Sequence, residues 1–170
     1  MTATACSLKR CRLKAELSPR APLAITSAEQ VRALAEIPIG PTRWLTLTQE
    51  RIAAFADVTD DHQWIHVDTE RAASGPFGRT VVHGYLTLAL LPRFAKELFE
   101  IQFGSMRLNY GLNRVRFPSA TPVGSRIRTS ARFTRAEQST SGLLITTEYV
   151  VAIENGTKPA CVAEMLVLVR

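Results

Sequence analysis

No stretch of this 170-residue chain is apolar for long enough to cross a bilayer as a helix. The longest apolar run, "YLTLALL" from Tyr85 to Leu91, falls far short of the roughly 20 residues that a span needs. Cysteine is scarce. Cys6, Cys11 and Cys161 form an odd set in a chain able to build its own core, which excludes a disulfide framework and points to a reducing compartment such as the cytoplasm. Cys6 and Cys11 lack zinc-ligand spacing, and Cys161 in "KPACVAEMLVLV" reads as a small buried hydrophobe. The first residues carry no apolar core of a secretory signal; they are Arg-rich and poor in acids, which leaves organellar import open.

What is abundant is basic charge. The formal net charge is +6, which favours an anionic partner. One basic group, Lys9, Arg10, Arg12, Lys14 and Arg20, falls in residues 1–24, read as a disordered basic extension ahead of a single domain at 25–170. A second group, Arg107, Arg114, Arg116, Arg126, Arg128, Arg132 and Arg135, falls on segments that alternate like strands. These arginines allow a nucleic-acid-binding module, but aromatics do not interleave with them as base-stacking platforms require. A phosphorylated small molecule suits the same charge.

The pattern along the chain changes once. "TSAEQVRALAEI" reads as a short helix capped by Ser27, "WLTLT" as a short strand, and "TQERIAAFADVT" as a helix capped by Thr48. Asp68 is the natural cap of a further helix, "DTERAA", and "SGPFGRT" reads as a mobile loop. "HGYLTLALLPRFAKELFE" is the longest helical pattern, apolar almost all round at its start and therefore buried, with a kink expected at Pro92. After Ile101 four long alternating segments follow, separated by turns, with a hairpin expected at Asn155-Gly156. An antiparallel sheet wrapped round one long central helix buries both, so the fold class is α+β.

Proton-handling groups concentrate in "VTDDHQWIHVDTERA", from Val58 to Ala72. Asp60, Asp61, His62, His66 and Asp68 stand beside Trp64 and Ile65, which are expected to pin an irregular loop to the core. A metal site built from Asp61, His62, His66 and His83 competes with this reading, but histidines four apart converge well only on a helix, and no metal is expected.

The order of these features resembles the MaoC-like dehydratases, R-specific enoyl-CoA hydratases of hot-dog fold. The resemblance rests on "DHQWIH", Asp61 to His66, and on "VVHGYLTL", Val81 to Leu88, and extends from about Trp44 through "NYGLNRVRFP" to the C-terminus. The family's Asn and Pro are Gln63 and Trp64 here, and the Gly that commonly precedes its Asp is Asp60. The resemblance implies that Asp61 and His66 hold the catalytic water, while the physics of the reaction asks for two proton-transfer groups near it. Gly84, where the buried helix should begin, would present a free backbone N–H to the thioester oxygen. Gln63, His83, Tyr85 and Arg114 are the candidate substrate-binding residues. The resemblance further implies an acyl-CoA or acyl-carrier-protein thioester as substrate, no cofactor, no nucleic-acid or membrane partner, and a homodimer that covers exposed sheet edges. A thioesterase of the same fold is the alternative chemistry.

Overall fold

The computed structural model describes residues 21–170; the basic group from Lys9 to Arg20, with Cys6 and Cys11, lies outside them. Strand β1 (Leu23–Ile25) pairs in parallel with β3 (Phe99–Ile101). A five-stranded antiparallel sheet has the order β2-β5-β6-β7-β4, with β2 at Leu45–Thr46, β4 at Arg107–Arg116, β5 at Arg126–Ser139, β6 at Gly142–Ile153 and β7 at Cys161–Val169. The four long strands expected after Ile101 are all present. The Asn155-Gly156 turn does not close a two-residue hairpin: β6 and β7 register from Val151 opposite Cys161, so the turn sits inside a wider loop, with Asn155 at φ 59.

The alternation in β5 sorts its side chains cleanly. Ile127, Thr129, Ala131 and Phe133 are buried on the concave face, beside Leu143, Ile145, Thr147, Tyr149 and Val151 of β6. The arginines between them face outward and meet acids or an aromatic ring. Arg126 reaches Glu154 at 2.8 Å; Arg132 reaches Glu148 at 2.9 Å and Glu36 at 2.7 Å. Arg126 and Arg128 also lie over the Trp44 ring. Much of the strand charge is therefore spent on the sheet's own outer surface rather than offered to phosphates.

The concave face wraps the central helix. That helix is two segments, α5 (Gly84–Ala89) and α6 (Leu91–Leu98), meeting at Leu90. Pro92 stands in the first turn of α6, where its missing N–H does least harm, and it withholds the bond that a continuous helix would send back to Leu88. Leu91, Phe94 and Leu98 carry α6 into the core at helical spacing. Helix α1 (Ala28–Ala33), capped by Ser27, is shorter than its sequence pattern. Helix α2 (Gln49–Thr59) starts on a Thr48 side-chain cap and buries Ile52 and Ala56, with Phe55 packed alongside the core. Among the described residues no helix is long and apolar enough to cross a membrane.

Candidate active site

Helix α2 ends on Asp60, which adopts a left-handed conformation (φ 56, ψ 21). This is the position where a glycine would be free of strain; aspartate is among the few side chains that tolerate it. The turn brings Asp61 back toward the start of α5. There its main-chain carbonyl accepts a hydrogen bond from His83 Nε2 at 3.0 Å. The Asp61 carboxylate is half exposed, with Oδ2 3.9 Å from the same nitrogen.

The segment after Asp61 is not the irregular loop expected from its sequence. Trp64–Val67 form a short helix, α3, led by Gln63, whose carbonyl accepts from the His66 N–H at 2.9 Å. His66, rather than its apolar neighbours, is the buried member of α3; Trp64 and Ile65 are half-buried. Trp64 instead lies under the Arg71 guanidinium and against Gly75. The next helix, α4 (Thr69–Ala73), starts on Asp68, whose side chain accepts from Arg71 N at 2.9 Å, as its position predicts.

His66 is held from three directions. Its Nδ1 is 2.6 Å from the Val81 carbonyl, a contact that is attractive only if Nδ1 carries the proton. That leaves Nε2 with a free lone pair. Gln49 Nε2 donates to the His66 carbonyl at 2.8 Å, and Gln49 Oε1 accepts from Thr80 Oγ1 at 2.6 Å. Val81 N–H in turn donates to the Ile65 carbonyl at 2.9 Å. Burial holds the His66 imidazole below the usual histidine range, against the opposing pull of the Val81 carbonyl; the neighbouring His83 pushes the same way as burial, and Asp61 opposes it. His66 is thus neutral near pH 7, with its basic nitrogen available.

His83 caps α5. Its carbonyl accepts from Thr87 N at 3.2 Å, and its ring stacks on that of His66 with centroids 3.7 Å apart. Gly84 follows as the first residue of the helix, where backbone N–H groups have no intrahelical partner. A side chain at Gly84 would strike the Phe117 ring, with a Cβ placed 2.9 Å from it. Asp61, His66 and His83 therefore converge: one ligand-type atom from each lies within 4.8 Å of the others. Such spacing could hold a cation. The hydrogen bond to the Asp61 carbonyl, however, places a proton on His83 Nε2 and removes the lone pair a metal would need there.

A family model described as a MaoC like domain matches residues 31–155. The chain belongs to the MaoC-like family. It is 47% identical over 142 residues to the 3-hydroxyacyl-thioester dehydratase Z of Mycobacterium tuberculosis, covering 83% of this chain and 94% of that protein. The fold matches a monoamine oxidase regulatory protein from an Archaeoglobus species with a TM-score of 0.72 at 22% identity, covering 86% of this chain and 95% of that one. It also matches an (R)-hydratase from A. caviae involved in PHA biosynthesis, with a TM-score of 0.64 at 21% identity, covering 78% and 94%. The MaoC-like chain accordingly has the hot-dog architecture, a curled antiparallel sheet round a central helix.

The remaining candidates of this MaoC-like domain lie at different distances from the convergence. Gln63 heads α3 with its side chain exposed, and Tyr85 stands exposed on α5 with its ring edge toward Phe117. His62 turns away, 3.8 Å from Asp57. Arg114 sits on β4 and lines an outer groove with Arg116, Pro118, Glu148 and Glu164, a groove that none of the three converging side chains lines. A cavity of about 540 Å³ follows α6 rather than the α5 tip; Pro92, Ala95, Phe99, Ile145, Tyr149 and Met165 are among its walls. Sequence reading missed Gln49, whose side chain holds the His66 carbonyl, and Thr80, whose hydroxyl donates to Gln49. Thr80 directly precedes "VVHG", and its small polar side chain ahead of two valines was the only available signal.

Proposed function

We propose that the protein catalyses the reversible hydration of a trans-2-enoyl thioester to the (3R)-3-hydroxyacyl thioester. The observation that carries this reading is the convergence of a neutral, buried His66, its Nε2 lone pair free, with the Asp61 carboxylate beside the first turn of α5. The 47% identity to a dehydratase over nearly that protein's whole length supports it. One water bound between the two side chains loses a proton as its oxygen bonds the β-carbon. A proton is delivered to the α-carbon, so the pair ends the cycle in its starting protonation state. The enolate oxygen is met by the Gly84 N–H, a donor of a kind worth roughly 3–4 kcal/mol. The reaction is redox-neutral and asks for no redox cofactor.

Within this reading Gln63 and Tyr85 flank the thioester. Arg114 meets a phosphate of coenzyme A or acyl carrier protein, reached across a pair of subunits. A homodimer fits the sheet: β4 is an edge strand that leaves Leu108, Tyr110 and Leu112 exposed beside its unpaired backbone. The apolar cavity along α6 takes the acyl chain, and a cytoplasmic location belongs to the same reading.

The test is the enoyl-thioester absorbance with crotonyl-CoA and longer homologues, for wild type, Asp61→Asn and His66→Gln, alongside light scattering for subunit number. Hydration is expected in the wild type, with each variant slower by about 10²–10⁴-fold while folded. Release of free thiol without loss of the double bond would make the protein a thioesterase instead. Near-wild-type turnover in either variant would remove the mechanism.

A further inference from the structure

His83 touches both proton-handling segments and also caps the first turn of the central helix. Its ring is 2% exposed. Nε2 lies 3.0 Å from the Asp61 carbonyl oxygen, and an approach that close is favourable only with the proton on Nε2. Its face lies on the His66 ring at 3.7 Å, tilted by 26°. Phe55 of α2 closes another side at 5.1 Å. Nδ1 is buried with no hydrogen-bond partner. A buried nitrogen left without a partner is unfavourable. A buried residue that served packing alone would be better supplied by a phenylalanine, which carries no such nitrogen. What the imidazole adds over a phenylalanine is the donor on its other nitrogen.

We infer that His83 is a positioning residue for the proposed hydration: its Nε2–H tethers the Asp61 turn while its ring fixes the plane of His66, so that both groups hold register with the Gly84 N–H. The three parts come from separate elements, the α2–α3 turn, α3 and α5. Without His83 the Asp61 turn has no side-chain hydrogen bond to α5 in the structure. The inference rests on the hydratase reading of Asp61 and His66, but its geometry can be tested apart from turnover.

The titratable groups that face His66 are Asp61 from the turn and His83 from α5. Helix α2 and the Thr80–Val82 segment present Gln49, Phe55, Thr80 and the Val81 carbonyl, none of which titrates in the working range. Removing the second imidazole therefore removes a neighbour that disfavours the His66 cation, and leaves Asp61, which favours it.

The experiment has two arms. Imidazole ¹H–¹⁵N NMR on the wild type should give a protected His83 Nε2–H beside His66 Nδ1–H; a proton on His83 Nδ1 instead overturns the inference whether or not any variant folds. Kinetics then compare His83→Phe, which keeps a flat ring without the donor, with His83→Gln, whose amide can restore a donor near Nε2. Displacing a reacting group by about 1 Å can cost on the order of a hundredfold. His83→Phe should lose about that much in kcat with KM little changed, His83→Gln should recover most of the loss, and the acid limb of the rate profile should move to higher pH in both. Equal loss in both variants, or none in His83→Phe, overturns the tether. A wild type with the expected NMR tautomers but no action on enoyl thioesters would defeat the hydratase reading and leave the geometry standing.

Discussion

His66 Nδ1 donates to the Val81 carbonyl at 2.6 Å, and that one contact decides the chemistry of the opposite nitrogen. The tautomer is set by a main-chain atom of the segment leading into the central helix. The imidazole on α3 is thus oriented by the same stretch of backbone that leads into Gly84.

That arrangement gives a pH dependence of definite sign. Burial holds folded His66 below the usual value of about 6.5, so the unfolded chain binds more protons in the window just beneath it. The stability linked to His66 is intact above that value and falls as pH drops through the lower folded pKa. Turnover should fall in the same window, because the protonated ring has no lone pair. Urea midpoints and initial rates between pH 4.5 and 7.5 check this (about 4.5 to 7.5 brackets the titration of an ordinary histidine). His66→Gln should flatten that part of the stability profile.

Asp60 gives a second test. It occupies φ 56, and a left-handed residue costs roughly 1–2 kcal/mol when its side chain suits the conformation poorly. Asp60→Gly should change stability by less than about 1 kcal/mol and keep activity. Asp60→Val should lose more than about 1 kcal/mol and slow turnover, since the strain relaxes by moving Asp61. Chemical denaturation and steady-state rates distinguish the two.

The sequence made the frame legible and left the site's supports hidden. Thr48 and Asp68 are caps whose chemistry acts within one turn, and the strand alternation after Ile101 has a period of two, so both could be read locally. Pro92 announced the break in the central helix for the same reason. By contrast, α3 is too short for a periodic signal, and its one turn is fixed by Gln49 from α2 and by Val81. The contacts of His83 with Asp61 and His66 span 22 and 17 positions of sequence, and no local pattern reports them. The Asn155-Gly156 signal did mark the connection between the antiparallel strands β6 and β7, but it could not give the loop length, because the ladder ends at Val151 opposite Cys161 and leaves the turn inside a longer loop.

The Gln49 support predicts a separable loss. Thr80 is buried and its hydroxyl donates to Gln49 Oε1, while Gln49 Nε2 holds the His66 carbonyl. Gln49→Ala should strand the Thr80 hydroxyl and cost about 1–3 kcal/mol. Adding Thr80→Val should recover part of that stability, because it removes the stranded group. It should not recover kcat, because the His66 backbone stays unheld. A double-mutant cycle followed by both denaturation and rate carries the distinction; equal recovery of both quantities would show that Gln49 serves packing alone.

Gly84 raises the question of which neighbour requires a glycine. Under the proposed hydration, substrate approach to its N–H would be one reason for the missing side chain, but the direction in which a Cβ would point is occupied by the Phe117 ring at 2.9 Å. Gly84→Ala should therefore destabilise the protein and displace Phe117, which is partly exposed and has room to move. Combining Gly84→Ala with Phe117→Ala removes the collision. If the ring is what demands glycine, the pair should be more stable than Gly84→Ala alone, and activity should rise with stability to within about tenfold of Phe117→Ala, since the backbone donor is unchanged and a tenfold rate difference is only about 1.4 kcal/mol. If stability returns while kcat stays at least a hundredfold lower, the small residue is required by the thioester itself, because the lost stabilisation then matches an oxyanion donor of about 3 kcal/mol.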